Sequence, residues 1–139
     1  MSERPIIDHI GIIVEKLENA VVSMEKFLGV SPEPVEEMPN AGIRVAAFKA
    51  ANIVIELIEY LSEGKSLGRA TMGDRPGLNH LSKRVDDIDR AIERLTGDGF
   101  NMVPGFPVDG VSGAVAFFTA DPANAVLMEI CQPRKRAGQ

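Results

Sequence analysis

The amino-acid sequence contains an internal repeat, which constrains the fold more than any other feature. When His9 is aligned with His80, Glu56 falls close to Glu129, at nearly the same distance along the chain. A repeat of this length is typical of two copies of one supersecondary module, not of a solenoid with many short units. The coinciding apolar pairs are Val14 and Val85, Leu17 and Ile88, Ala20 and Ala91, Val21 and Ile92, and Met24 and Leu95.

Each half predicts the element order βαβββ. An apolar strand near residues 5–14 or 77–85 precedes an amphipathic helix, and three strands then close the half. We expect Asp86 to cap the second helix and Gly29 to end the first. The closing strands are expected near 33–38, 42–49 and 52–60 in the first half, and near 101–104, 112–119 and 124–131 in the second.

The length of 139 residues predicts one domain, large enough to bury a core. We expect the first module at about 5–60 and the second at about 77–133, joined by a glycine-rich linker at about 61–76. The predicted fold class is α+β, with two tandem βαβββ modules forming a curved mixed sheet around a metal-binding cleft.

Charge and hydropathy exclude several classes of partner. The net charge is -5, and no long basic patch is present, so we expect no nucleic-acid partner. No apolar run approaches the ~20 residues of a membrane span, and the first residues do not resemble a signal peptide. Cys131 is the single cysteine, which excludes an intrachain disulfide. These features predict a cytoplasmic protein that does not associate with membranes.

Four polar residues are candidate metal ligands. His9 and His80 are the only histidines, and Glu56 and Glu129 lie within runs of aliphatic residues. A carboxylate in a sheet core is costly unless a cationic partner meets it, which points to a divalent ion. If the uncovered faces of the two modules curve toward each other, the four side chains converge in one cleft. Imidazole and carboxylate together suit Zn, Ni, Co, Mn or Fe.

The repeat and its polar residues resemble the vicinal oxygen chelate superfamily, which includes glyoxalases, bleomycin resistance proteins and dioxygenases. The resemblance covers about 5–133 and is strongest to methylmalonyl-CoA epimerase, with glyoxalase I second. It is carried by four segments: Asp8-His9-Ile10-Gly11-Ile12, Ile55-Glu56-Leu57-Ile58, Gly77 through Ile88, and Val126-Leu127-Met128-Glu129-Ile130.

The resemblance implies that His9, Glu56, His80 and Glu129 bind one divalent metal ion, and that the protein is a homodimer. It also implies a small-molecule substrate, an acyl-CoA thioester or a thiol adduct. Two positions depart from the epimerase pattern. Epimerases generally have glutamine at the position of Glu56, and the glutamate here resembles the ligand set of bacterial glyoxalase I. Asn40 stands where epimerases have a catalytic glutamate.

The predicted activity is metal-dependent proton abstraction alpha to a carbonyl, as in an epimerase-like isomerase. A Lewis-acidic ion would stabilise the enolate, and a carboxylate would take the proton. Glu129 is the candidate base by resemblance, and Glu56 is the second. Arg84 shares strand parity with His80, and Arg44 lies two residues after Gly42, so both are candidates for binding an anionic group of the substrate.

Two alternatives remain at the level of sequence. Glu56 favours a glyoxalase I-like lactoylglutathione lyase that acts on a thiol–oxoaldehyde adduct. A ligand-sequestering protein of the resistance type is the further alternative, although such relatives generally lack the metal ligands.

Overall fold

The computed structural model describes residues 4–111, 113–119 and 126–134. Within these residues the chain forms three helices and eight strands, an α+β fold in which the predicted βαβββ order occurs twice. The elements are β1 (Ile7–Ile13), α1 (Leu17–Leu28), β2 (Glu36–Met38), β3 (Ile43–Lys49), β4 (Val54–Tyr60), α2 (Leu67–Met72), β5 (Gly77–Arg84), α3 (Ile88–Gly97), β6 (Val108–Asp109), β7 (Gly113–Phe118) and β8 (Leu127–Pro133).

The chain divides into two compact units at its two histidines. One unit is His9–His80, and the other combines the residues before His9 with those after His80. The module boundary expected within 61–76 stays a prediction, and this segment lies in the His9–His80 unit and contains α2. No helix among the described residues is both long and apolar enough to cross a membrane.

The His9–His80 unit has the strand order β2-β3-β4-β1. Strands β1 and β4 are parallel, whereas β3 is antiparallel to both β2 and β4, so the pairing is mixed as predicted. Helix α1 packs on one face of these strands, where Leu17, Ala46, Phe48 and Leu57 form a buried cluster. Because successive side chains of a strand alternate between faces, Glu56 lies on the face opposite α1.

The other unit contains the antiparallel strands β8-β7-β6. Helix α3 packs against Ala116, Phe118 and Ile130. These contacts repeat the arrangement of α1 in the first unit, as the sequence repeat predicts.

Three local predictions for the second half need correction. Asp87, not Asp86, caps α3 and accepts a hydrogen bond from the Arg90 amide at 3.2 Å. The strand expected at 101–104 is reduced to an isolated bridge between Met102 and Phe118, and the short β6 follows later. The strand expected at 124–131 has its first residues outside the described part of the chain, and β8 continues to Pro133.

Candidate metal centre

Strands β1 and β4 bring His9 and Glu56 together. Their parallel register places Gly11 opposite Glu56 and His9 opposite Val54. The Nε2 atom of His9 lies 3.6 Å from Oε1 of Glu56. Both residues are buried, with exposed fractions of 3% and 6%. A buried imidazole beside a buried carboxylate is the kind of pair that a cation compensates.

His80 joins this pair from β5. Its ring meets the His9 ring edge to face, with centroids 5.6 Å apart, and the residue is 2% exposed. One ligand atom each from His9, Glu56 and His80 lies within 4.8 Å of the other two. Three of the four predicted ligands therefore form one buried cluster within the His9–His80 unit.

The donor set of this cluster fits a divalent transition metal. Two imidazoles and one carboxylate suit Zn, Ni, Co, Mn or Fe, and three protein ligands leave positions for further oxygen ligands. The close approach of the three donor atoms, within 4.8 Å of one another, also fits an ion.

Gly11 makes room for the His80 ring. A Cβ atom at this position would lie 2.1 Å from Cε1 and 2.4 Å from Nε2 of His80. No side chain other than hydrogen fits there while the ring stays in place. No role for Gly11 was predicted from the sequence, although its position two residues after His9 puts it on the same strand face.

Asn79 is a second residue beside the cluster that was not predicted from the sequence. Its Oδ1 lies 2.9 Å from Nδ1 of His80, and its Nδ2 donates to the Met72 carbonyl at 2.9 Å. Nothing in the sequence pattern points to Asn79 except that it directly precedes a candidate ligand.

Glu129 belongs to the other unit. It lies on β8 opposite Phe117 and is 6% exposed, so its carboxylate is buried as predicted for a ligand. Its role as fourth metal ligand remains a prediction from the sequence repeat and the family resemblance, and its role as base remains a prediction from the resemblance.

Arg44 lies on the α1 side of the sheet, not on the Glu56 side. Its Nε donates to Glu59 at 2.5 Å, and its Nη2 donates to Glu18 of α1 at 2.5 Å. These hydrogen bonds to the two carboxylates raise the pKa of Arg44 further. Both contacts lie on the face opposite Glu56, and the predicted contact of Arg44 with substrate stays a prediction.

Arg84 ends β5 and forms an ion pair with Asp8, in which Nη2 donates to Oδ1 at 3.0 Å. The Arg84 side chain remains 45% exposed, so the guanidinium still reaches solvent. Its proposed contact with substrate stays a prediction.

Asn40, which replaces the glutamate of the epimerase pattern, lies exposed in the turn between β2 and β3. A carboxamide cannot serve as a proton acceptor in the way that a carboxylate does. Asn40 is therefore not a candidate base.

The segment after β4 is held in place by Tyr60 and Arg69. The Tyr60 hydroxyl donates to the Gly73 carbonyl at 2.5 Å, and the Arg69 guanidinium lies 4.2 Å from the centre of the Tyr60 ring. Burial raises the pKa of Tyr60 to about 12, so this hydroxyl keeps its proton at neutral pH. The end of α2 is thereby fixed close to β4.

Comparison with known sequences agrees with the predicted fold and with the buried His-Glu-His cluster. Residues 8–118 match the Glyoxalase/Bleomycin resistance protein/Dioxygenase superfamily, and the chain belongs to this family. The predicted resemblance to vicinal oxygen chelate proteins is thus confirmed.

Individual relatives are similar over nearly their whole length. An ethylmalonyl-CoA/methylmalonyl-CoA epimerase of Cereibacter sphaeroides is 30% identical over 129 residues, covering 91% of this chain and 96% of the relative. The uncharacterized protein YqjC of Bacillus subtilis is 28% identical over 129 residues, covering 92% of each. The crystal structure of methylmalonyl-CoA epimerase from Mycobacterium tuberculosis superposes with a TM-score of 0.81 at 26% identity, covering 97% of this chain and 94% of that one.

Proposed function

We propose that this protein is a metal-dependent isomerase that removes a proton from the carbon next to the carbonyl of an acyl-CoA thioester. The buried cluster of His9, Glu56 and His80 is the observation that carries the proposal. Membership of the superfamily and the similarity to proteins named as methylmalonyl-CoA epimerases support it.

In this proposal His9, Glu56 and His80 hold one divalent ion, and Glu129 is the fourth ligand. The internal repeat and the burial of Glu129 support its inclusion. When bound, such an ion would supply Lewis acidity that stabilises negative charge on the substrate carbonyl oxygen.

Proton transfer is assigned to the two glutamates of the ligand set. Glu129 takes the α proton, and Glu56, which belongs to the other unit, is the second acid–base group. Asn40 cannot fill that second role, because its side chain is an amide. The anionic part of the substrate is assigned to Arg84, whereas Arg44 is already held between Glu18 and Glu59.

Isotope exchange tests the proposed reaction directly. The purified protein is incubated in D2O with methylmalonyl-CoA, and deuterium uptake at the α carbon is followed by mass spectrometry. We expect uptake with the wild type and a loss of about 100-fold or more in Glu129→Gln, since a general base contributes about 10²–10⁴-fold. Removing metal with a chelator should stop exchange, and adding back Zn, Ni, Co or Mn should restore it.

Glu36→Gln is a matched control, because Glu36 is an exposed carboxylate on β2 in the same sheet. It should exchange like the wild type. Metal-loaded wild type without any α-deuterium uptake would contradict the proposal.

A glyoxalase I-like lyase is the second candidate, favoured by one observation. The cluster contains the carboxylate of Glu56, where the epimerase pattern has an amide. The adduct of methylglyoxal and glutathione is its test substrate, and turnover of this adduct alone would replace the first proposal by the second. Inactivity toward both substrates, together with failure to bind metal, would instead favour ligand sequestration.

The homodimer and the cytoplasmic location predicted from the sequence are carried forward as parts of the proposal. Light scattering of the purified protein measures the mass in solution and tests the dimer.

A further inference from the structure

We propose that Asn79 is a positioning residue that holds the His80 imidazole in the tautomer with its proton on Nδ1. The ring lone pair then lies on Nε2, the nitrogen that would bind the metal ion. Because His80 is a ligand only in the proposed function, this positioning role rests on that function.

The Met72 carbonyl fixes the orientation of the Asn79 amide. A backbone carbonyl oxygen only accepts hydrogen bonds, so the group 2.9 Å from it must be the Asn79 NH2. The opposite end of the amide, its Oδ1, must therefore face His80. This assignment needs no assumption about the protonation of the histidine.

The orientation of the amide in turn fixes the tautomer of His80. Oδ1 of Asn79 is an acceptor and lies 2.9 Å from Nδ1, so Nδ1 must carry the proton and donate it. A neutral imidazole has one N–H, which leaves the lone pair on Nε2. Metal-binding histidines usually donate their other N–H to a carboxylate, a carbonyl or water, and here a side-chain amide has that position.

Gly11 restricts where the oriented ring can lie. The space that a Cβ atom of residue 11 would occupy is filled by Cε1, Nε2 and Nδ1 of His80, all within 2.7 Å of that point. The ring thus lies directly against the backbone of β1, two residues from His9. Asn79 selects the tautomer, and the β1 backbone fixes the place of the ring.

The hydrogen bond from Asn79 also connects the ligand to α2. Met72 is the last residue of α2, and the next carbonyl, that of Gly73, accepts a hydrogen bond from Tyr60. The end of α2 is therefore held from two sides, by Tyr60 of β4 and by Asn79 of β5. This gives the segment 61–76 a role in the metal site that a plain linker would not have.

The two-histidine composition of the chain makes the tautomer directly measurable. Protein labelled with 15N at histidine shows two ring systems in a long-range 1H–15N spectrum, and His9→Gln identifies which signals belong to His80. In metal-free wild type above the histidine pKa, we expect His80 to show the Nδ1–H pattern. A wild-type His80 with its proton on Nε2 would overturn the inference.

Two substitutions distinguish a positioning role of Asn79 from a purely structural role. Asn79→Asp keeps an acceptor for Nδ1–H but loses the donor to Met72, whereas Asn79→Leu loses both. We expect Asn79→Asp to keep the tautomer and to bind Zn²⁺ within a few-fold of wild type. Asn79→Leu should shift the proton toward Nε2 and weaken Zn²⁺ binding about 10- to 100-fold.

Asn52→Leu is the matched control, because Asn52 is exposed in the bend between β3 and β4. Asn52→Leu should match the wild type in the His80 tautomer and in Zn²⁺ affinity. An unchanged tautomer and Zn²⁺ affinity in Asn79→Leu would contradict the inference. Wild type that shows Nδ1–H but binds no metal would instead contradict the proposed function, so the two failures are distinguishable.

Discussion

The missing side chain of Gly11 is as necessary to the cluster as the candidate ligands around it. In β1 this residue lies opposite Glu56, and the His80 ring occupies the space that a Cβ atom would need. A larger residue there would displace the His80 ring from its position. The geometry of the site thus depends on a residue that supplies no donor atom.

Gly11→Ala tests this dependence. The added Cβ would lie 2.1 Å from His80 Cε1, so the ring must move. We expect Zn²⁺ affinity to fall at least about tenfold, together with a loss of about 1–3 kcal/mol in unfolding free energy from overpacking. Both are measured on the purified protein, by metal-competition titration and by urea denaturation.

Gly64→Ala is a suitable control for this substitution, since a Cβ there would meet only Ser62 Oγ, at 3.8 Å. Gly64→Ala should change neither the Zn²⁺ affinity nor the unfolding free energy appreciably. Wild-type Zn²⁺ affinity in Gly11→Ala would show that the His80 ring does not need this position.

The cluster of His9, Glu56 and His80 was predictable from the sequence because these are rare residues in repeated, apolar surroundings. The positions of Arg44 and Asn79 were not. Arg44 faces α1 because of the register between β3 and β4, in which Arg44 lies opposite Glu59 and Ala47 opposite Glu56. Local sequence does not encode that register. Asn79 acts through the Met72 carbonyl, and a backbone acceptor leaves no mark in the sequence.

At the scale of elements, the internal repeat includes a hydrogen bond at the start of the helix in each module. The Leu17 amide at the start of α1 donates to Oε2 of Glu59 at 3.1 Å. The Ile88 amide at the start of α3 donates to Oε1 of Gln132 at 2.9 Å. Each acceptor lies three residues after a candidate ligand carboxylate, on the opposite face of the same strand. In each module, one strand thus carries both a candidate ligand and the acceptor for the amide at the start of the helix.

Substitutions at these two acceptors test the shared role. Glu59→Ala and Gln132→Ala should each lower the unfolding free energy by about 1 kcal/mol, the usual loss for an N-terminal helix cap. Glu59→Gln keeps an oxygen for the Leu17 amide and loses the charge that pairs with Arg44, so it should lose less than Glu59→Ala. Urea denaturation measures all three.

Glu37→Ala is the reference variant, because Glu37 is an exposed carboxylate of β2. If Glu59→Gln is as destabilising as Glu59→Ala, the ion pair with Arg44 carries the effect and the capping role is wrong.

The long elements were predictable because hydrophobic periods of 3.6 and 2 residues are local signals. Helix α2 was not, since it spans six residues and depends on contacts outside itself. Ser66 caps it by accepting a hydrogen bond from the Arg69 amide at 3.0 Å, and a Cβ at Gly68 would lie 2.7 Å from the Ala41 carbonyl. The serine alone would favour a helix start. The surrounding sequence nevertheless predicted a loop, because it contains four residues that disfavour helices: Gly64, Gly68, Gly73 and Pro76.

At the scale of the whole molecule, the cluster links metal binding to folding. His9, Glu56 and His80 are far apart along the chain, so an unfolded chain does not hold their donor atoms within 4.8 Å of one another. An ion that binds the folded chain alone stabilises it by RT ln(1 + [M]/Kd). An ion held by these three side chains would therefore stabilise the folded chain relative to the unfolded chain.

Thermal unfolding should therefore depend on metal concentration. At about 100 times the dissociation constant, the folded chain should gain about 2.7 kcal/mol, which for a chain of this size corresponds to a rise of several degrees in Tm. His80→Ala removes one of the three donors and should lose most of this rise, whereas Glu36→Gln should keep it. Scanning calorimetry with and without Zn²⁺ measures the difference. A wild-type Tm that does not respond to Zn, Ni, Co or Mn would show that the buried cluster is a structural polar network with no ion, and the proposed enzymatic function would fail with it.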